Sequence, residues 1–286
     1  MNNKINYEQR IVAFIDILGF KQMVIESEKD GNEEKIQSID KALEFFKRLK
    51  SKTYKYNELI DVEEDAQKKG IENFRIHELL EINYFSDSII ISVKIEDEKI
   101  NEIFSTFIVS IASFGNLLIK NGILIRGGID VGNLVHKKGK IFGNALIKAY
   151  TLESTIATYP RIIISKNLLE KLNYPIESKK DRYPYHQYLE RFEDGCIGFT
   201  QLTILQVMDS LDDKIYMNHF KGDKASTLIN TKQTILNGLN ENYDNPKVFN
   251  QYKWLMDSFN NLIITNDKTK YKKIERLVRY YDFFYK

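Results

Sequence analysis

The chain has a single cysteine, Cys196, so no intrachain disulfide can form and no cysteine framework marks it as secreted. Its four histidines, His77, His136, His186 and His219, are scattered without zinc-type spacing. Charge is nearly balanced: 42 Lys and Arg against 40 Asp and Glu leave +2, too little for a general pull toward nucleic acid or anionic lipid. Walker-type glycine loops, G-x-S-x-G elbows and H-E-x-x-H helices are all absent, which removes those reaction classes. The opening MNNKINYEQR lacks the basic-then-apolar pattern of a signal peptide, so a cytoplasmic location is expected. One uncharged run, residues 103–119, raises the question of a membrane span. It contains Ser105, Thr106, Ser110, Ser113 and Asn116, while Phe104, Phe107, Ile108, Ile111, Phe114 and Leu118 recur at steps of three and four. That spacing describes one apolar stripe on a core helix, and no membrane contact is expected.

What remains is a globular composition, 43% hydrophobic and 29% charged, in 286 residues. At about 150 residues per domain, that length allows one large domain or one with an extension. IVAFIDI (11–17) reads as a buried strand closed by the turn Leu18-Gly19-Phe20, with a helix after it. Residues 79–94 are two β-prone runs around Ser86-Asp87, a hairpin with Asp87 at its bend. After the amphipathic helix, residues 122–135 form a strand in which Gly127 and Gly128 permit a bulge or a close backbone approach. A helix follows, with Leu146, Ala149, Tyr150 and Glu153 on one face, and Ile162 to Ile164 make another short strand after Pro160.

The order predicts an α+β fold with a mixed sheet and not a clean βαβ repeat. Past residue 172 the strand signal weakens, so residues 1–172 are expected to form the sheet-bearing domain and 173–286 a mainly helical extension packed on it. Its stripes are Phe249, Tyr252, Lys253, Met256 and Phe259, then Ile274, Leu277, Val278, Tyr281 and Phe284. From Asn266 the chain carries seven Lys or Arg against three acids, but the apolar stripe with Tyr280, Tyr281 and Tyr285 favours a docked helix over a nucleic-acid contact. The charged segments 28–38 and 61–73 read as solvated surface.

Two aspartates stand out. Asp16 interrupts an apolar strand between Ile15 and Ile17, where an Asp has no capping role, and Asp87 sits at the bend of an apolar hairpin. Carboxylates in such company are costly unless paired, hydrogen-bonded or bound to a cation. If they converge they repel, and hard oxygen ligands of this kind suit magnesium or manganese. For Asp87 alone, a turn cap is the plainer reading. Arg126 reads equally as an ion-pair partner of Asp130 or as a phosphate contact.

Four segments, in this order, resemble the class III nucleotidyl cyclase family: FIDILGF (14–20), FSDSI (85–89), RGGIDVG (126–132) and FGNALIKAYTLESTIATYPRIIIS (142–165). The resemblance spans residues 11–165, a little over half the chain, and is most similar to the bacterial pyrimidine cyclases of the Pycsar antiphage systems. It implies a ferredoxin-like or palm-like core in which Asp16, the Ile17 carbonyl and Asp87 hold two Mn2+ or Mg2+ ions. Phe14, Gly19 and Phe20 would lie near a triphosphate, and Asn83 and Lys140 would stand at the base-reading positions. Aligned from Gly143, Ile147 and Thr151 replace the Asn and Arg that purine cyclases use, so Arg126, Lys148 and Arg161 are the candidate substitutes.

The implied activity converts UTP or CTP to its 3′,5′-cyclic monophosphate and pyrophosphate, in a homodimer with shared active sites whose product signals to a separate effector in antiphage defence. The alternatives on the same resemblance are a catalytically silent nucleotide sensor and an oligonucleotide synthase.

Overall fold

β1 (Glu8–Ile17) lies between two neighbours and organises the sheet. Its odd residues Ile11, Ala13, Ile15 and Ile17 enter the main core, while Val12 packs in a smaller cluster with Phe14 beside it. Both faces are covered, which is why IVAFIDI runs apolar instead of alternating. Gly19 then adopts φ 76, a left-handed turn that frees the chain to start α1 (Phe20–Ser27). α2 (Glu34–Lys50), β2 (Leu80–Phe85), β3 (Ser88–Lys94), α3 (Ile100–Ile119) and β4 (Ile125–Lys137) follow. The computed structural model describes residues 5–29, 33–50, 80–137, 139–178, 183–203, 205, 224–265 and 274.

These elements make a β-α-β-β-α-β unit whose strands run in the order β2-β3-β1-β4, every pair antiparallel, the ferredoxin-like arrangement. The expected α+β class with a mixed sheet is therefore what the chain adopts, since β6 (Arg161–Ile164) joins β4 in parallel. The Ser86-Asp87 bend falls where the sequence places it, with Ser86 at φ 55. α3 is the one helix among the described residues long and apolar enough to cross a membrane, and its Phe104, Phe107, Ile108, Ile111, Phe114 and Leu118 are fully buried in the main core.

The opposite sheet face carries α4 (Asn144–Thr151), reached through β5 (Lys140–Phe142) and continued by a π turn, Leu152–Ile156. Of the expected face, Ala149 and Glu153 are buried and are joined by Ala145, Leu146 is half-buried against the same cluster, and Tyr150 turns out, 51% exposed. Gly128 supplies the reason. A Cβ there would overlap the Ala149 carbonyl and the Leu152 Cβ, so the helix sits directly on the β4 backbone. The β1–β4 register runs unbroken through both glycines, so they serve close approach and form no bulge. Gly128→Ala should cost about 3 kcal/mol of stability through this overlap, measured as a lowered urea midpoint with an unchanged slope. An unchanged midpoint would mean α4 does not sit this close.

The sheet extends past the expected boundary at residue 172. After α5 (Lys166–Lys171), capped by Ser165 Oγ on the Leu168 N–H, come β7 (Glu190–Arg191) and β8 (Ile197–Thr200). β8 pairs with β6, giving β4-β6-β8-β7 along that flank. Two and four residues are too short for a legible period. α6 (Lys224–Glu241) and α7 (Pro246–Thr265) pack on each other, and Leu228, Ile235, Leu239, Leu255, Met256, Phe259 and Leu262 join the same core cluster as α3. Of the later stripe only Ile274 is described, and it is buried; residues 61–73 and the rest of the basic stretch from Asn266 lie outside the described residues.

Candidate active site

Asp16 is the next-to-last residue of β1, opposite Ser88 on one side and Arg126 on the other. The Ile17 N–H donates to the Asp87 carbonyl at 2.9 Å, tying the β2–β3 bend to the end of β1. Two aspartates far apart in sequence thus meet at one end of the sheet, close enough that the Asp87 charge acts on Asp16. Burial pushes the Asp16 carboxyl above its ordinary value and Asp87 adds to that push, while Arg126 and Lys247 oppose it.

Arg126 resolves its two readings. Its Nε lies 3.2 Å from Asp16 Oδ2 and 2.6 Å from Glu153 Oε1, whereas Asp130 is held by Ser165 and Asn167 instead. Nε alone donates a hydrogen bond; the two terminal nitrogens of the guanidinium donate none among the described residues. Glu153 is 3% exposed, delivered by the π turn that Gly128 admits. Burial pushes its carboxyl up, and Arg126 draws it back. Sequence reasoning placed Glu153 on a buried helix face but gave it no role, although an acid on such a face was itself the signal. Lys247, in the first turn of α7, was missed altogether; its charge reaches Asp16 only because the C-terminal helices dock on the sheet.

The other expected site residues divide into near and far. Phe14 faces Tyr150 of α4, ring centres 5.2 Å apart, on the Asp16 side of β1. Ile17 is buried, Gly19 is exposed at the turn, and Phe20 packs on the main core at the start of α1. Asn83 Nδ2 donates to the Gly139 carbonyl at 3.2 Å, which brings Asn83 beside the exposed Lys140. Lys148 is elsewhere. It lines a polar cleft of about 360 Å³ with Asp130, Asn144, Asn167 and Lys171. Asp130 lies four positions from Arg126 along β4, about 13 Å at strand rise. Arg161 is not brought to Asp16 either: it is 2% exposed, bound to Asp194 and the Ile156 carbonyl, and covers the Phe192 ring at 4.8 Å beside Tyr159 and Trp254.

Among the described residues no group of three or more His, Cys, Asp or Glu side chains is arranged to hold a metal. Asp16 and Asp87, two carboxylates near enough for one charge to raise the other, are the hard oxygen donors that suit a magnesium-type cation, which is commonly held by one or two carboxylates with water and substrate phosphates completing the shell.

No protein-family model matches the chain, and no curated protein does. Among solved structures it is similar to the monomeric guanylyl cyclase domain of the RhoGC fusion protein from the aquatic fungus Blastocladiella emersonii, at 14% identity and TM-score 0.38 over 68% of this chain and 95% of that one. It is also similar to the catalytic core of a rhodopsin-guanylyl cyclase with converted specificity, in complex with ATPαS, at 15% identity and TM-score 0.36 over 68% of this chain and 94% of that one.

Proposed function

We propose that the protein is a nucleotidyl cyclase that converts UTP or CTP to its 3′,5′-cyclic monophosphate and pyrophosphate. The observation that carries this reading is the meeting of Asp16 and Asp87 beside an arginine whose terminal nitrogens are unengaged. Asp16, Asp87 and the Ile17 carbonyl would hold two Mg2+ or Mn2+ ions. When bound, these ions acidify the ribose 3′-hydroxyl and offset charge on the departing pyrophosphate.

The chain's own residues supply the rest. Arg126, fixed by its Nε edge, directs its two terminal nitrogens at the triphosphate, which suits planar, bidentate phosphate binding. Lys247 adds positive charge beside Asp16. Asn83 donates its amide to Gly139, so its Oδ1 remains an acceptor for a base N–H, a group both uracil and cytosine present. The in-line attack of the 3′-oxygen on the α-phosphorus then needs only positioning and charge stabilisation. Lys148 sits away from Asp16, and exposed Ile147, Tyr150 and Phe142 crowd the α4 side of the molecule. A second copy docked there would bring a further cation to each site, hence a homodimer with shared sites. The product would act on a separate effector, in keeping with antiphage signalling.

Incubating the purified chain with each of the four NTPs and Mn2+, resolved by chromatography, tests this directly. Cyclic UMP or cyclic CMP is the expected product. NTP binding without any product would favour a silent sensor, a reading that the exposed Ile147 and Thr151 support, and linear oligonucleotides would favour a synthase.

A further inference from the structure

Arg126 has a single Nε–H, and two carboxylates compete for it. The proton points to Asp16 Oδ2 at 3.2 Å. Glu153 Oε1 is nearer, at 2.6 Å, yet lies off the N–H line, so it makes a charge contact without a hydrogen bond. A carboxylate this buried, left short of a hydrogen bond, has more to gain from that proton than Asp16, whose side chain is 17% exposed.

The anchoring of the three groups differs as well. Arg126 belongs to β4 and Glu153 to the π turn pressed onto β4 at Gly128, so their relation is fixed by one packed contact. Asp16 belongs to β1, at the end of the strand that also receives the Asp87 bend. A divalent cation at Asp16 and the guanidinium at Asp16 are two positive charges drawn to one carboxylate. Displaced with nowhere to go, a guanidinium 21% exposed would lose its counter-charge.

We propose that Glu153 is a positioning residue that takes Arg126 from Asp16 when a divalent cation binds there. Only a small rotation of the guanidinium is needed, because the receiving oxygen is already the closer one. Before the cation arrives, Arg126 neutralises Asp16; afterwards, Glu153 holds the same Nε edge and the terminal nitrogens stay free for phosphate. The inference rests on the reading that Asp16 and Asp87 hold the cation, and it adds a residue that the cation never touches.

The test is Mn2+ binding to the full chain without nucleotide, followed by calorimetry and by the electron paramagnetic signal of free Mn2+. In Glu153→Gln, Arg126 keeps only Asp16 as a charged partner, and Mn2+ should bind about tenfold more weakly. Glu153→Asp, which keeps the charge, should recover most of the affinity. Arg126→Met should bind Mn2+ at least as tightly as the wild type. In that background Glu153→Gln should add no further loss. An equal loss with and without Arg126 would be a field effect of the carboxylate and would overturn the proposal, as would unchanged binding in Glu153→Gln. Arg126→Lys, which keeps a cation but loses the Nε edge, repeats the cycle if the Met variant melts early. Asp16→Asn separates the two levels. Mn2+ binding that survives it removes the site itself, whereas loss there without a Glu153 effect removes only this inference.

Discussion

Asp16→Asn and Asp87→Asn should each reduce cyclic nucleotide formation by about a thousandfold while leaving the protein folded. The amide keeps the shape of the carboxyl and removes the charge. Loss of a cation that stabilises the transition state costs several kcal/mol, and about 4 kcal/mol is a thousandfold in rate. Stability should move the other way for Asp16. Its folded carboxyl titrates above the ordinary value because burial, and then the Asp87 charge, disfavour ionisation. A raised carboxyl contributes stability that is present below the ordinary range and is lost as pH rises through the shifted value. At neutral pH the ionised Asp16 therefore opposes folding, an effect that Arg126 reduces without removing. Asp16→Asn should melt at or above the wild-type temperature at pH 7, the advantage shrinking toward pH 4. Initial rates with Mn2+ and thermal melts at the two pH values check both halves. A variant that melts like the wild type and still turns over at the wild-type rate would remove Asp16 from the chemistry.

The legible parts of this molecule were those whose cause is local. The Asp16 strand and the Asp87 bend each follow from a run of β-prone residues and a turn pair, and need no long-range contact to be read. The α3 stripe is likewise written in a 3.6-residue period. The partner of Arg126 was not readable, because Asp130 is its neighbour in sequence while Glu153 reaches it only through a helix packed on Gly128. The same contact misled the reading of α4. Hydrophobicity sets Tyr150 on the buried face, but a backbone pressed on a backbone favours small Ala145 and Ala149 there and leaves Tyr150 exposed. Arg161 looked available beside a strand, and Trp254, nearly a hundred residues later, closes over it. Lys247 likewise owes its place near Asp16 to long-range docking of α7, which Gln251 and Trp254 fix against Thr158 and Tyr159.

If two copies meet through α4 as proposed, Ile147→Glu should leave a monomer and abolish activity as completely as loss of Asp16, without lowering the melting temperature. Ile147 is 62% exposed and Tyr150 51%, on a helix whose other face is fully used against the sheet. Phe142, 45% exposed and packed edge-on to the exposed Tyr7, adds to the apolar surface on the same side. Because Ile147 loses little on unfolding, a charge there costs the monomer little, but a twofold interface would bury it against its own copy. Light scattering reads the mass and the NTP assay reads the activity.

Complementation gives the sharper outcome. If Lys148 acts on the partner's triphosphate, Asp16→Asn and Lys148→Ala are each inactive alone, yet a mixed dimer contains one site with both residues intact. Random exchange makes half the dimers mixed, so the mixture should recover about a quarter of the wild-type rate. Adding Ile147→Glu to either partner should remove the recovery. A mixture that stays inactive despite proven subunit exchange would confine the site to one chain, leaving Arg126 and Lys247 as its only cations near Asp16 among the described residues.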